Sequence, residues 1–305
     1  MKRKAGWFLL LILAGLGVWY FGFKKEHYQI SFESKQPAGV VYHHILGWHP
    51  ESTPGVDSIT TIEKTPYSLV EQRVVAGDSI FTYRWEMRKK DSMTRVTVKI
   101  TDMEHGLMQK VQAPFANNDF VKRSISNVKM VGDVLAKSDA KFKVHSIKDT
   151  IFPSRYCAYL PLRSTVANKS ATMLHSIVDI MGFIKQNDIP LTGDPYLEVT
   201  QWNQQKDSIH FNFCFPIAQS DSIPKTDRVL FKETPSFEAV KAEFNGNYSI
   251  SDKAWYYLLE YAERKGYSVK NTPTELFLND PHTSGRNSID WKANIYLPLD
   301  KQDGL

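Results

Sequence analysis

Two stretches about 80 residues apart end in the same way, and this constrains the fold more than any other feature of the chain. IHFNFCFPI (209–217) and WKANIYLPL (291–299) each alternate and then run into proline and an aliphatic residue. Upstream, GDPYLEV (193–199) matches NTPTELF (271–277), with Pro195 and Pro273 offset by 78 (273 minus 195). The closing prolines, Pro216 and Pro298, are offset by 82 (298 minus 216), and the polar loop LNDPHTSGRNS takes up the difference. A helix-like segment precedes each inner proline: SATMLHSIVDIMGFIKQNDI in one case, SDKAWYYLLEYAERKGY in the other. Residues 142–305 therefore read as two copies of a strand–helix–strand–strand unit. Neither copy alone buries both a helix and a sheet face, so the two are expected to pair about a pseudo-twofold axis.

The preceding 114 residues, 28–141, follow another pattern. SITTIEKT (58–65), YSLVEQRVV (67–75), SIFTYRWEMRKK (79–90) and MTRVTVKITDME (93–104) are rich in β-branched and aromatic residues. Val96, Val98 and Ile100 alternate with polar neighbours, the period of a half-buried strand. Ala76-Gly77-Asp78 and Lys90-Asp91-Ser92 are expected to be hairpin turns. Val121, Ile125, Val128, Val131 and Leu135 then form an apolar helix stripe, with Asn117, Asn118 and Asp119 offered as N-caps. The order of elements resembles the START-like (SRPBCC) helix-grip fold, in which a curved sheet wraps a C-terminal helix around an apolar cavity. HHILGWHPESTPG is short for the two helices that the resemblance implies after the first strand, which points to a reduced cavity.

MKRK precedes AGWFLLLILAGLGVWYFGF (5–23), which carries no charge, and Lys24 and Lys25 follow it. At 1.5 Å per residue, 19 residues span about 28 Å, close to a hydrocarbon core of about 30 Å. Residues 1–27 are expected to be an uncleaved transmembrane anchor with Trp7, Trp19 and Tyr20 near its ends. The alternative is a cleaved signal peptide. The expected setting is a bacterial inner membrane with the remaining domains on the periplasmic side. A net charge of +5 over 305 residues, with basic residues flanking the apolar run, argues against nucleic acid as a partner.

FNGNY (244–248), AWYYLLEYAERKGY (254–267), PTELFLNDP (273–281) and WKANIYLPL resemble the GyrI-like effector-binding domain found also in AraC-type regulators. The whole chain resembles a membrane-tethered architecture of Bacteroidetes-type bacteria. The resemblance implies an α+β fold and a small, lipophilic ligand in a cleft between the two repeats, with a carboxylate in the closing strand meeting a ligand cation. Alternation places Ala293, Ile295 and Leu297 against the helices and Lys292, Asn294 and Tyr296 on the cleft side. In the first copy Phe211, Phe213 and Phe215 face the helices, while His210, Asn212 and Cys214 face the cleft. Asn294, with Asn212 as its mirror, stands where the family usually has glutamate. The loss of that acid implies a neutral or anionic ligand and argues against the hydrolase chemistry of some relatives.

The candidate ligand contacts are thus Asn212, Asn294, Tyr296, His210 and Lys292, with Trp291 at the rim and Glu275 as a substitute carboxylate. Each has a plainer reading as a solvated or packed strand residue, and a structural hydrogen bond is the plainer role for Glu275. Trp255 reads as helix-to-sheet core. His43, His44 and His49 lack the regular spacing of a metal site, and Cys157 and Cys214 are either bridged or packed thiols. Asn168 and Asn247 begin short glycosylation-like matches that arise readily by chance. No cofactor is expected. The expected function is membrane-anchored, non-enzymatic ligand binding; the alternatives are a hydrolase acting through Glu275 and a scaffold for an unknown protein partner.

Overall fold

The computed structural model describes residues 2–115, 118–220, 223–224, 226–279 and 287–300. The chain divides into two compact units, Met1–Ala136 and Lys137–Leu305.

The charge-free N-terminal stretch does not form the single α-helix expected over 5–23. Helix α1 covers Lys2–Val18, and the chain then widens into a π-helical turn, Trp19–Phe23, closed by Lys24 N–H on the Trp19 carbonyl at 3.0 Å. Glycines at 15, 17 and 22 lower the cost of leaving α geometry. Seventeen residues rise about 26 Å. Among the described residues, no helix is long and apolar enough to cross a membrane, which corrects the expectation of a transmembrane helix.

The rest of the first unit is one antiparallel sheet and three helices. The strands are β1 (Tyr28–Ser34), β2 (Ser58–Thr65), β3 (Leu69–Ala76), β4 (Ser79–Lys90) and β5 (Met93–Asp102), in the order β1-β5-β4-β3-β2. Helix α2 (Ala38–Leu46) follows β1; α3 (Gly106–Gln112) and α4 (Asp119–Ser138) follow β5. The hairpin turns fall where the sequence places them, with Gly77 at φ +58° and Asp91 at φ +54° supplying the left-handed backbone. Phe81, Tyr83, Trp85 and Met87 of β4 alternate inward with Val96, Val98 and Ile100 of β5, and all are buried. Onto them pack Val121, Val128, Val131 and Leu135 of α4. Ile125 departs from the expected stripe and is 43% exposed. Asn127 is buried instead, donating to the Tyr83 hydroxyl at 3.1 Å, so the helix is rotated toward a polar contact. Of the offered caps, Asn118 Oδ1 accepts the Val121 N–H at 3.0 Å, while Asn117 lies outside the described residues. Trp48 sits edge-on to Tyr83 and Trp85 at 5.3 and 5.7 Å, filling the centre of this unit with rings.

The second unit holds an eight-stranded antiparallel sheet under two helices. Strands β6 (Phe142–Phe152) and β7 (Arg155–Thr165) lead to α5 (Lys169–Gln186), β8 (Tyr196–Asn203) and β9 (Ser208–Pro216). Strands β10 (Leu230–Thr234) and β11 (Phe237–Gly246) lead to α6 (Lys253–Lys265), β12 (Thr274–Phe277) and β13 (Lys292–Pro298). The order β10-β7-β9-β8-β12-β13-β11-β6 is a palindrome about the β8–β12 pair. The two copies thus join edge to edge through their proline-led strands, as the duplicated sequence requires. The first strand of each arm, β6 or β10, crosses to pair with the opposite copy. One face of the sheet buries Leu197, Val199, Phe211, Phe213, Val240, Phe244, Ile295 and Leu297 under α5 and α6, whose Ile180, Ile184, Trp255 and Leu258 complete the core.

Gly246 ends β11 at φ +151°, where a Cβ would lie 2.9 Å from both Phe142 Cβ and the Phe244 ring. Backbone strain and the clash with packed rings act together. Gly246→Ala is expected to destabilise the protein by about 2 kcal/mol or more, read as a fall in the urea midpoint at unchanged slope.

Candidate functional site

The face of the second sheet that points away from α5 and α6 is built by strand alternation, and its side chains fall in rows across the paired strands. One row runs Pro161–Asn212–Glu198–Thr274–Tyr296–Lys241. The next runs Tyr159–Cys214–Tyr196–Leu276–Asn294–Glu243. Paired residues share a face, so every side chain in these rows lies on one face of the sheet, the face on which strand alternation in the sequence places the groove.

The floor of this face is buried. Phe152, Cys157, Tyr196, Cys214, Ala239, Leu276 and Tyr296 form a separate buried cluster. The two arms cross beside it: Phe152 stacks on Phe237 at 4.9 Å and meets Tyr296 edge-on at 5.1 Å. Ser154 Oγ donates to Glu233 Oε1 at 2.7 Å across the crossing. The Tyr196 hydroxyl lies 2.7 Å from Thr234 Oγ1 and donates to Cys157 Sγ at 3.2 Å. Cys157 and Cys214 are free, buried thiols on neighbouring strands. A hydrogen bond from Cys214 draws the Cys157 thiol down to about 7, while burial pushes Cys214 up.

Polar groups stand at the side of this floor. Asn212 Nδ2 donates to Glu198 Oε2 at 2.8 Å, and Lys232 Nζ, from edge strand β10, donates to the same oxygen. The Lys232 ammonium also sits 5.2 Å from the centroid of the Tyr159 ring. Burial works to lower the Lys232 pKa, but the hydrogen bond and charge of Glu198 outweigh it and the pKa ends above the ordinary lysine value. Both side chains keep partial access to solvent, 24% for Lys232 and 21% for Glu198. In the second copy Lys241 Nζ donates to Glu243 Oε1 at 3.3 Å. Burial raises the Tyr296 hydroxyl pKa, and Arg155 and an Asn294 hydrogen bond partly offset this.

Of the residues expected from sequence, Asn212, Asn294 and Tyr296 lie on this face. Tyr296 is part of the floor, and the two amides are half-buried. His210 lies two residues beyond Asn212 along β9, half-buried, and Lys292 is exposed at the start of β13. Two expectations are corrected. Trp291 precedes β13 and packs toward the helix-side core, 5.6 Å from Tyr248, instead of lining the groove. Glu275 is fully buried on the helix side of β12, opposite the groove, in register with Ile295 and Leu197. There its Oε2 accepts from Ser251 Oγ at 2.7 Å. Lys169, also fully buried, donates to Asp252 Oδ1 at 2.7 Å and to the Tyr248 carbonyl at 3.3 Å. Burial raises the Glu275 pKa, with Lys169 partly offsetting it. Burial works against the Lys169 charge, but Asp252 and Glu275 outweigh it and hold the ammonium above its ordinary value.

A further correction concerns the groove's charge. It has not exchanged its acids for amides, because Glu198 stands beside Asn212. The signal was present in GDPYLEV, where Glu198 follows Pro195 by three residues and so falls on the groove face. Among the described residues, no three His, Cys, Asp or Glu side chains gather to hold a metal; His44 Nε2 lies instead 3.1 Å from the Val131 carbonyl.

Residues 153–300 match the family model of the GyrI-like small molecule binding domain. The crystal structure of the EcmrR C-terminal domain is similar at 18% identity and TM-score 0.43, covering 52% of this chain and 98% of that one. SAV2435 bound to tetraphenylphosphonium is similar at 10% identity and TM-score 0.36, covering 52% and 95%. A hydrolase encoded by lin2189 from Listeria innocua is similar at 14% identity and TM-score 0.33, covering 54% and 96%. No curated protein sequence matches the chain. By the family model, residues 153–300 are a GyrI-like small-molecule-binding domain, and their fold is of α+β type.

Removing Lys169 strands two carboxyl groups beneath the helices. Lys169→Met is expected to cost about 3–5 kcal/mol in urea unfolding. The Lys169 contribution is present below the ordinary lysine value of 10.5 and is lost as pH rises through the higher folded value. The wild-type melting temperature should therefore fall on that alkaline limb, and the fall should be shallower in the variant.

Proposed function

We propose that this protein is a membrane-attached, non-enzymatic binding protein that takes a lipophilic small molecule in the groove between the two repeats of its second unit. The observation that carries the reading is the juxtaposition, on one face of the sheet, of Tyr296 and the half-buried Tyr159 ring with the hydrogen-bonding set Asn212, Glu198 and Lys232. Apolar area supplies affinity in such a site, and a few fixed polar groups supply orientation. The family description of residues 153–300 supports a ligand of small-molecule size. Glu275, the acid on which a hydrolytic reading would rest, faces the opposite side of the sheet.

The first unit fits the START-like reading in having a sheet against a terminal helix, with its interior occupied by Trp48, Tyr83 and Trp85. Membrane attachment is supported by the charge-free run 5–23 and by the exposed side chains of Trp7, Leu10, Leu11, Leu16, Trp19 and Phe23. With a periplasmic orientation, the groove would meet solutes outside the cytoplasm.

The full chain in detergent micelles should show a raised melting temperature with triphenylphosphine oxide, a neutral lipophilic probe. Asn212→Leu and Tyr296→Ala should each weaken its binding about tenfold or more, the loss of a buried hydrogen bond or of ring contact. Absence of a shift, or a shift indifferent to both substitutions, would refute the groove as the site. In a separate measurement, the full chain should float with phosphatidylcholine vesicles. Leu10→Lys with Leu11→Lys should abolish flotation, since attachment at a membrane surface scales with the apolar area that is buried there; continued flotation of that variant would remove the proposed attachment.

A further inference from the structure

The groove already holds a cation of its own. The Lys232 ammonium occupies the position a ligand's positive charge would need: it is bound to Glu198 Oε2 and lies 5.2 Å from the Tyr159 ring centroid. A carboxylate below and an aromatic face beside it are the two elements of a site for an organic cation. Asn212 donates to the same oxygen, so that oxygen has both a neutral and a charged partner. Apart from Tyr159, Lys232 faces Cys157 across the β10–β7 pair, and Glu198 is the acid it contacts.

From this arrangement we infer that Lys232 is a tethered counter-ion that sets the charge selectivity of the groove, disfavouring lipophilic cations and leaving the site to neutral ligands. The inference rests on the groove reading given above. A bound cation must displace Lys232, and the exchange replaces one charge-assisted contact on Glu198 by another with no gain in the number of paired charges. A neutral ligand makes its contacts with the pair left intact. The element carrying Lys232 suits a displaceable stopper. Strand β10 has five residues, pairs with β7 alone and is an edge of the sheet, so its backbone is held along one side only. The ion pair is about a quarter exposed, which places it among displaceable contacts and apart from the sealed Lys169 pair.

The test compares two probes of like size on the full chain in detergent: tetraphenylphosphonium, a delocalised cation, and triphenylphosphine oxide, its neutral counterpart. Isothermal titration gives the ratio of their dissociation constants. Lys232→Met leaves Glu198 free and should shift the ratio toward the cation about tenfold or more. Lys232→Arg keeps the charge and should leave the ratio near the wild-type value. Lys232→Met with Glu198→Gln should lose the gain. Lys232→Gln stands in if the methionine variant does not fold. A ratio that does not move in the uncharged variants, or a gain that survives loss of Glu198, overturns the inference; so does failure of those variants to bind the phosphonium at all. If the wild type binds neither probe while an uncharged variant gains the cation, the neutral-ligand reading fails and the counter-ion role of Lys232 stands.

Discussion

The second unit depends on one exchange. The links between β6 and β7 and between β10 and β11 are two residues each, Pro153-Ser154 and Pro235-Ser236. Yet β6 pairs with β11 and β10 with β7, so each arm leaves its own copy and closes the edge of the other. Proline removes a backbone donor and fixes φ, which suits a crossing where no ladder continues. The exchange draws the outer ends of the two half-sheets together at Phe152 and Phe237, and the rings stacked there become the floor of the groove. It also carries Lys232 from a segment that precedes the second copy into the polar set of the first. Groove shape and groove charge therefore have the same cause.

Much of this was legible as pattern. Alternation alone places Phe211, Phe213, Phe215, Ala293, Ile295 and Leu297 under the helices, and all six are buried there. The hairpins of the first unit were legible because Gly77 and Asp91 tolerate the left-handed backbone that tight turns demand. What escaped was phase and partnership. Glu198 follows its strand-leading proline by three residues, and Glu275 follows its own by two. A strand has period two, so this single step sends one carboxylate into the groove and the other into the core. A search for acids at matching positions of the duplicated unit therefore finds the wrong one. The arms β6 and β10 escaped for a different reason. They are edge strands lying outside the repeated unit, and their pairing is decided by a crossing that no local periodicity encodes. The helix rotation that exposes Ile125 and buries Asn127 was equally out of reach, because the Tyr83 hydroxyl it satisfies lies 44 residues away in sequence.

Two lysine–carboxylate contacts of the second unit, those of Lys169 and Lys232, show how one kind of interaction serves opposite purposes on the two faces of one sheet. On the helix side Lys169 has no exposed side-chain surface; Asp252, the Tyr248 carbonyl and the Trp255 ring surround its ammonium, and Ser251 holds Glu275 nearby. The charge there has nowhere to go. Separating such a pair leaves an uncompensated buried ion, so the contact locks the start of α5 to that of α6. On the groove side Lys232 and Glu198 meet with part of each side chain in water, and a displaced ammonium can be solvated at once. Its separation is then a matter of competition among cations, and the pair is weak in the way exposed ion pairs are weak. Burial of the lysine thus decides which contact holds the fold and which can yield to a ligand.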